Sequence, residues 1–263
     1  MKAIILAAGM GSRLMPLTAE KPKCMIELVG KPLLHRQIAT LRDAGVDVII
    51  LVGGYRSDRL EGDFDFLELN RAYDTSNMVE TLFCALEHMQ EGEDLFISYG
   101  DIVFESRVIN AVVNCDAPIV TAIDQGWRKY WELRLDNPLD DAESLIMHDS
   151  EYIAEIGGKP EGYEQIQGQY IGLTKVRADH VRKFVETWQA MDRDALYDGQ
   201  SFDNMYMTSF LQYLINNGTP IRAAFIQNGW LEVDTIQDLE RYEDLHARKR
   251  LNEFITFEAE QFS

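Results

Sequence analysis

The sequence predicts a three-layer α/β fold, a mostly parallel mixed sheet between two layers of helices. Short apolar runs alternate with amphipathic helical stretches through the first half of the chain, and such alternation builds parallel sheets through crossover connections. Several of those runs also end in glycine turns, at Gly9, at Gly53-Gly54 and at Gly100-Asp101. Sheets of this kind bind ligands beyond the carboxyl ends of their strands. At 263 residues the chain is long enough to bury a substantial core without staples. It reads as one continuous domain over 1–263, with a lid-like insertion near 125–165.

Element by element, 2–6 is a short buried strand. Residues 33–44 form a helix entered through Pro32 and closed by Gly45. A second buried strand spans 48–52 and a short third spans 66–69. Residues 78–89 read as a helix, with Leu82, Ala85, Leu86 and Met89 at core spacing. Strands at 95–99 and 119–123 flank a helix at 108–113. The middle changes character: 127–169 is rich in charge, glycine and aromatics, with strand-like pieces at 132–135 and 152–156. A strand at 170–175, helices at 178–191 and 205–215, and strands at 221–226 and 230–233 follow. A polar helix over 236–250 closes the pattern.

Composition excludes several classes. The three cysteines, Cys24, Cys84 and Cys115, are scattered, which gives no disulfide framework or zinc spacing and suits a reducing cytoplasm. Cys24 reads as a small packing residue. No apolar run approaches membrane-spanning length, and the start lacks a signal-peptide pattern. A net charge of −19 argues against nucleic acid as a partner, because a phosphate backbone would be repelled. The five histidines are dispersed, against zinc chemistry and a Ser-His-Asp triad.

The richest stretch is Leu6-Ala7-Ala8-Gly9-Met10-Gly11-Ser12-Arg13, with Pro22-Lys23 soon after. A strand opening into a glycine-bearing loop suits a triphosphate, since glycines let backbone N–H groups approach phosphate oxygens. Arg13 and Lys23 add charge that neutralises phosphates while a bond breaks. The dinucleotide fingerprint fails at Leu14, where its third glycine would fall, and no Gly-Lys-Ser/Thr follows for a Walker A loop. Asp101, at a strand end, is placed either to hold Mg²⁺ or to cap a turn. Alternation puts Glu232 and Asp234 on one strand face, and Asp234 is also an N-cap candidate for the last helix.

The 6–13 motif with Pro22-Lys23 resembles the signature of the nucleoside-diphosphate-sugar pyrophosphorylase-like nucleotidyltransferases. The resemblance implies a Rossmann-like fold and transfer of a nucleotidyl group from an NTP to a phosphorylated small molecule, with release of pyrophosphate. It implies Mg²⁺ on Asp101 and Asp234, with Glu232 as a further candidate, and Lys23 on the α-phosphate. Arg13 and the 6–12 loop, with Gly100 beside it, would hold the triphosphate. Gly54 and Tyr55, with Ser76 and Asn77, would contact base and ribose; the 74–77 stretch also reads as helix caps ahead of Met78.

Within that superfamily the chain is most similar to the bacterial phosphocholine cytidylyltransferase branch of surface-polysaccharide (capsule) modification. Tyr73-Asp74-Thr75-Ser76-Asn77-Met78, the Trp131 segment, Asp203-Asn204-Met205 and Glu232-Val233-Asp234 carry this likeness. It implies CTP as the nucleotide and a choline-like acceptor held by aromatic faces and acids: Trp127, Trp131, Tyr170 and Trp230, with Asp203 or Glu155. The chain departs from the branch in its basic 126–134 run. Arg128, Lys129 and Arg134 there suit an acceptor with its own carboxylate, such as phosphoglutamine. Phosphoethanolamine and 2-aminoethylphosphonate stay open as acceptors. A hexose-1-phosphate enzyme using UTP, dTTP or GTP is the rival activity. A non-catalytic nucleotide-sensing subunit is the rival class; the presence of Lys23, Asp101 and Asp234 speaks against it. The expected setting is cytoplasmic, with homo-oligomerisation left open.

Overall fold

The computed structural model describes residues 1–257. Its main sheet holds β1 (Lys2–Ala7), β2 (Val48–Gly53), β3 (Phe66–Leu69), β4 (Leu95–Tyr99), β5 (Ile119–Asp124), β6 (Gln169–Val176) and β7 (Ile221–Ile226), in the order β7-β5-β6-β4-β1-β2-β3. Only β6 runs against its neighbours; the other pairings in this sheet are parallel. This is the mostly parallel mixed sheet that the alternation predicts.

Side chains of β1 alternate between two cores. Ala3, Ile5 and Ala7 face one and Ile4 the other, and β2 divides likewise into Ile49 and Leu51 against Ile50 and Val52. The first core is covered by α1 (Leu33–Asp43), α3 (Ser106–Val113), α4 (Trp127–Arg134) and α7 (Ile236–Ala247). The second is covered by α2 (Met78–Phe83), α5 (Val181–Gln189) and α6 (Met207–Asn216). Burial on both faces is why these strands read as apolar runs rather than alternating ones.

Three expectations need correction. Residues 132–135 are not a strand piece: 132–134 complete α4 and Leu135 is its extended C-cap. Trp127, Tyr130, Trp131 and Arg134 are its buried residues, and their spacing lies on one helical face. The 78–89 helix is shorter than expected. It leaves α-helical geometry after Phe83 and ends in a tighter turn, Leu86–His88; nothing in the structure explains this break. The strand near 230 spans Trp230–Glu232 and lies outside the main sheet, paired antiparallel with Ile102–Phe104. Within residues 125–165, α4 precedes a hairpin of Leu145–Met147 with Ile153–Ile156.

This topology positions the site. β1 and β4 are adjacent and parallel, with Leu6 opposite Tyr99. The Gly9 loop and Gly100-Asp101 therefore leave the sheet side by side. The Trp230–Glu232 pairing then carries Asp234 to the same place, and Val233 N–H donates to the Asp101 carbonyl at 3.1 Å.

Candidate active site

The loop after β1 depends on close backbone approaches. Gly11 has φ +63°, and a Cβ there would sit 3.0 Å from Lys23 Cβ. A Cβ on Gly100 would come within 2.6 Å of the Leu6 carbonyl, which accepts from Gly100 N–H at 2.9 Å. Gly100→Ala must push Asp101 away from the loop. The expected loss is about 1–3 kcal/mol of unfolding free energy, read by chemical denaturation.

Lys23 stands at the centre. Its Nζ donates to Asp101 Oδ2 at 2.7 Å and to Asp234 Oδ1 at 2.8 Å. Arg13 Nη1 meets the other Asp234 oxygen at 2.5 Å. Burial by itself would lower the Lys23 pKa, but Asp101, Glu232 and Asp234 outweigh it and hold the ammonium charged, with its pKa above its ordinary value. Burial pushes the Glu232 carboxyl up, against the pull of Arg134. Asp101 Oδ1 is buried with no hydrogen-bond partner among the described residues, so a hard-oxygen donor remains unused beside two engaged ones.

A cavity of about 320 Å³ opens over this centre. The β1 loop (Leu6, Ala7, Ala8, Gly9, Gly11, Ser12, Arg13) forms one side, and Gly100, Asp101, Glu232 and Asp234 form the floor with Lys23. Tyr73, Ser76 and Asn77 ahead of α2, with Met78 and Thr81 on it, form another side.

A second cavity of about 240 Å³ adjoins it, sharing Arg13, Met78, Tyr99, Glu232 and Asp234. Trp131, Tyr170, Trp230 and Tyr206 supply aromatic walls, and Asp141, Glu143, Gln169 and Thr208 supply polar groups. Burial pushes the Glu143 carboxyl up to about 7, with Asp141, Asp198 and Glu232 adding to the rise against a Thr208 hydrogen bond.

Residues 3–148 match the family described as the MobA-like NTP transferase domain. The chain belongs to that family. It is 43% identical over 249 residues to the CTP:phosphoglutamine cytidylyltransferase of Campylobacter jejuni, covering 91% of this chain and 98% of that relative. The choline-phosphate cytidylyltransferase of Streptococcus pneumoniae is 46% identical over 68 residues, 26% of this chain and 28% of that one. Among solved structures, the inositol-1-phosphate CTP transferase of T. maritima superposes with a TM-score of 0.70 at 21% identity, covering 97% of this chain and 98% of that one; at that identity the likeness speaks for the fold. The protein is a nucleotidyltransferase.

In this NTP transferase, most of the residues expected around the nucleotide line the first cavity. Met10 is exposed instead. Gly54 packs behind the loop, where a Cβ would meet the Ala8 carbonyl at 2.8 Å. The Tyr55 hydroxyl donates to the Ala19 carbonyl at 3.2 Å and so braces the loop from outside. Asn77 caps α2 through Met78 N–H, as its alternative reading foresaw, and also lines the cavity.

Of the expected acceptor residues, Trp131, Tyr170 and Trp230 line the second cavity of the transferase. Trp127 lies one turn earlier on α4, packed on Trp131 and Tyr163. Arg128 faces outward and pairs with Glu132 at 3.0 Å. Arg134 is bound to Glu232 and Asp238, which removes it as a clamp for an acceptor carboxylate. Glu155 is exposed on the hairpin, and Asp203 is exposed with its carbonyl accepting from Asn77 N–H. Glu143, Gln169 and Thr208 escaped sequence reasoning. They come from separate segments and form no motif; a lone acid inside the apolar 142–147 stretch was the one available signal.

Proposed function

We propose that this nucleotidyltransferase moves CMP from CTP to a phosphorylated small molecule carrying an amine, phosphoglutamine foremost, and releases pyrophosphate. The observation that carries the reading is Lys23, held between Asp101 and Asp234 where the two cavities meet. The near full-length similarity to a phosphoglutamine enzyme favours that acceptor over choline phosphate. A phosphate oxygen of the acceptor attacks the α-phosphorus in line, and the bond to the β-phosphate oxygen breaks. Little covalent work falls to the protein; positioning and charge neutralisation dominate. Lys23 offsets charge growing on the α-phosphate and the incoming oxygen. Arg13 and the loop N–H groups hold the β- and γ-phosphates as they leave. Asp101 and Asp234 would hold Mg²⁺, and Asp101 Oδ1, which has no partner among the described residues, suits a hard cation, which neutralises phosphate charge when bound. The proposal places the enzyme in the cytoplasm, and no described helix is long and apolar enough to cross a membrane.

The test is a matrix of CTP, UTP, dTTP and GTP against phosphoglutamine, phosphocholine, phosphoethanolamine, 2-aminoethylphosphonate and glucose-1-phosphate, read by pyrophosphate release and mass spectrometry. A CDP-linked product from phosphoglutamine is expected. Turnover confined to glucose-1-phosphate with another NTP would move the reading to sugar activation.

Glu143 supplies a pH signature. Among the described residues no cation pairs with it, and it sits among aromatic walls. Its ionised form would pair with an acceptor ammonium. With a pKa near 7, ionisation grows as pH rises from 6 to 8, so the acceptor KM should fall over that window. Glu143→Gln should abolish that part of the dependence. The acceptor phosphate titrates nearby, and comparison of the two proteins at each pH subtracts its share. Identical KM–pH curves would remove Glu143 from acceptor binding.

A further inference from the structure

Helix α4 presents two functional faces. Trp131 walls the second cavity. Tyr130 and Arg134, one turn apart and so on one face, grip the segment that carries Asp234. The Tyr130 hydroxyl accepts from Glu232 N–H at 2.7 Å, and Tyr242 donates to the Glu232 carbonyl at 2.9 Å. Arg134 donates from Nη1 to Glu232 Oε2 at 2.8 Å and from Nε to Asp238 Oδ1 at 3.2 Å. Asp238 Oδ2 in turn accepts from Asp234 N–H at 3.3 Å and Thr235 N–H at 2.9 Å. Thr235 Oγ1 accepts from Asp238 N–H at 3.0 Å, closing a capping box at the start of α7. Arg134 is 7% exposed and Asp238 2%.

Buried ion pairs of this kind are weak contributors to stability compared with well-packed apolar groups. This one meets the main chain on both sides of Asp234. We infer that Arg134 is a positioning residue: with Asp238 it fixes the 232–235 main chain so that the Asp234 carboxylate stays directed at Lys23 and Arg13. The role rests on Asp234 belonging to the reaction centre, and it ties the helix that walls the second cavity to that carboxylate. Partners that orient metal-binding carboxylates behave in the same way in other sites.

The test uses Arg134→Gln, Arg134→Lys, Asp238→Asn and the Arg134→Gln/Asp238→Asn double variant of the whole chain. Turnover and KM are measured alongside Mn²⁺ affinity by electron paramagnetic resonance, with CTP present and acceptor absent. Arg134→Gln should lower kcat and Mn²⁺ affinity by about 10–100-fold each, with the KM for CTP little changed. Arg134→Lys should recover part of both, since it retains the charge and one of the contacts. Asp238→Asn should match Arg134→Gln, and the double variant should be no worse than either, because the two act through one linkage. Val112→Ala, a core truncation in α3, supplies a protein of lowered Tm whose centre is untouched. Unchanged kcat and Mn²⁺ affinity in Arg134→Gln would overturn the role, as would losses that merely track Tm as in Val112→Ala. If Arg134→Gln fails to fold, Arg134→Lys and Asp238→Asn read the same quantities. Wild-type protein inactive with every nucleotide would sink the proposed function instead; the Mn²⁺ arm needs no turnover and still decides the positioning role.

Discussion

Replacing Lys23 with alanine should lower kcat/KM by roughly 10²–10³-fold or more, while the protein stays folded. The estimate follows from removing one preorganised charged donor, about 3–4 kcal/mol of transition-state stabilisation. Lys23 Nζ lies within hydrogen-bond distance of both Asp101 and Asp234, and its charge is sustained by three surrounding carboxylates. Among the described residues no other cation meets both acids: Arg13 meets Asp234 Oδ2, and its side chain is 67% exposed. The loss should fall on kcat more than on nucleotide KM, because the charge that Lys23 meets grows during the reaction. Arginine should rescue poorly, since a planar guanidinium cannot reproduce a compact ammonium between two acids. Steady-state kinetics with both substrates, beside circular dichroism, reads the result. Folded Lys23→Ala with near-normal turnover would remove Lys23 from the chemistry.

Asp234→Asn should produce the second large loss, again about 10²-fold or more in kcat. Asp234 is the residue on which both cations converge, with Lys23 on one oxygen and Arg13 on the other. The amide keeps the size of the side chain but removes the charge that orders Arg13 and Lys23. It also removes one of the two carboxylates that would hold Mg²⁺. The concentration of Mg²⁺ needed for half-maximal rate should therefore rise, and chelation with EDTA should abolish the activity of both proteins reversibly. A Mg²⁺ titration of wild type and variant separates the two effects. Wild-type turnover that persists after exhaustive chelation would rule out the metal, and an unchanged Mg²⁺ requirement in Asp234→Asn would rule out its role in holding one.

The loop that lines the first cavity was legible because its information is local. Close approach of a loop to phosphate demands small residues in sequence order, so Gly9, Gly11 and the nearby Arg13 and Lys23 stand out without any fold. The second cavity was legible only in kind. Aromatic residues drew notice, and Trp131, Tyr170 and Trp230 do line the second cavity. The acid in that cavity, Glu143, went unseen because Asp141, Glu143, Gln169 and Thr208 come from three separate segments. Arg134 shows the converse failure. Its charge suggested an acceptor clamp, yet burial between Glu232 and Asp238 commits it to the protein itself. The same stretch misled at the level of local structure. Charged residues and leucines alternating at 132–135 read as a strand piece, and packing of Trp127, Tyr130 and Trp131 into the core makes a helix.

From the sequence alone came the strand–helix alternation, the layered sheet and the glycine loop, because apolar periodicity and glycine placement act over a few residues. Tertiary structure decided which acids meet. Asp101 and Asp234 flank one lysine because Trp230–Glu232 pairs with Ile102–Phe104, and such a long-range pairing depends on the register of the whole packed chain. The face that α4 turns toward Glu232 has the same origin. Periodicity names a buried face, but only close packing selects the partner it is buried against.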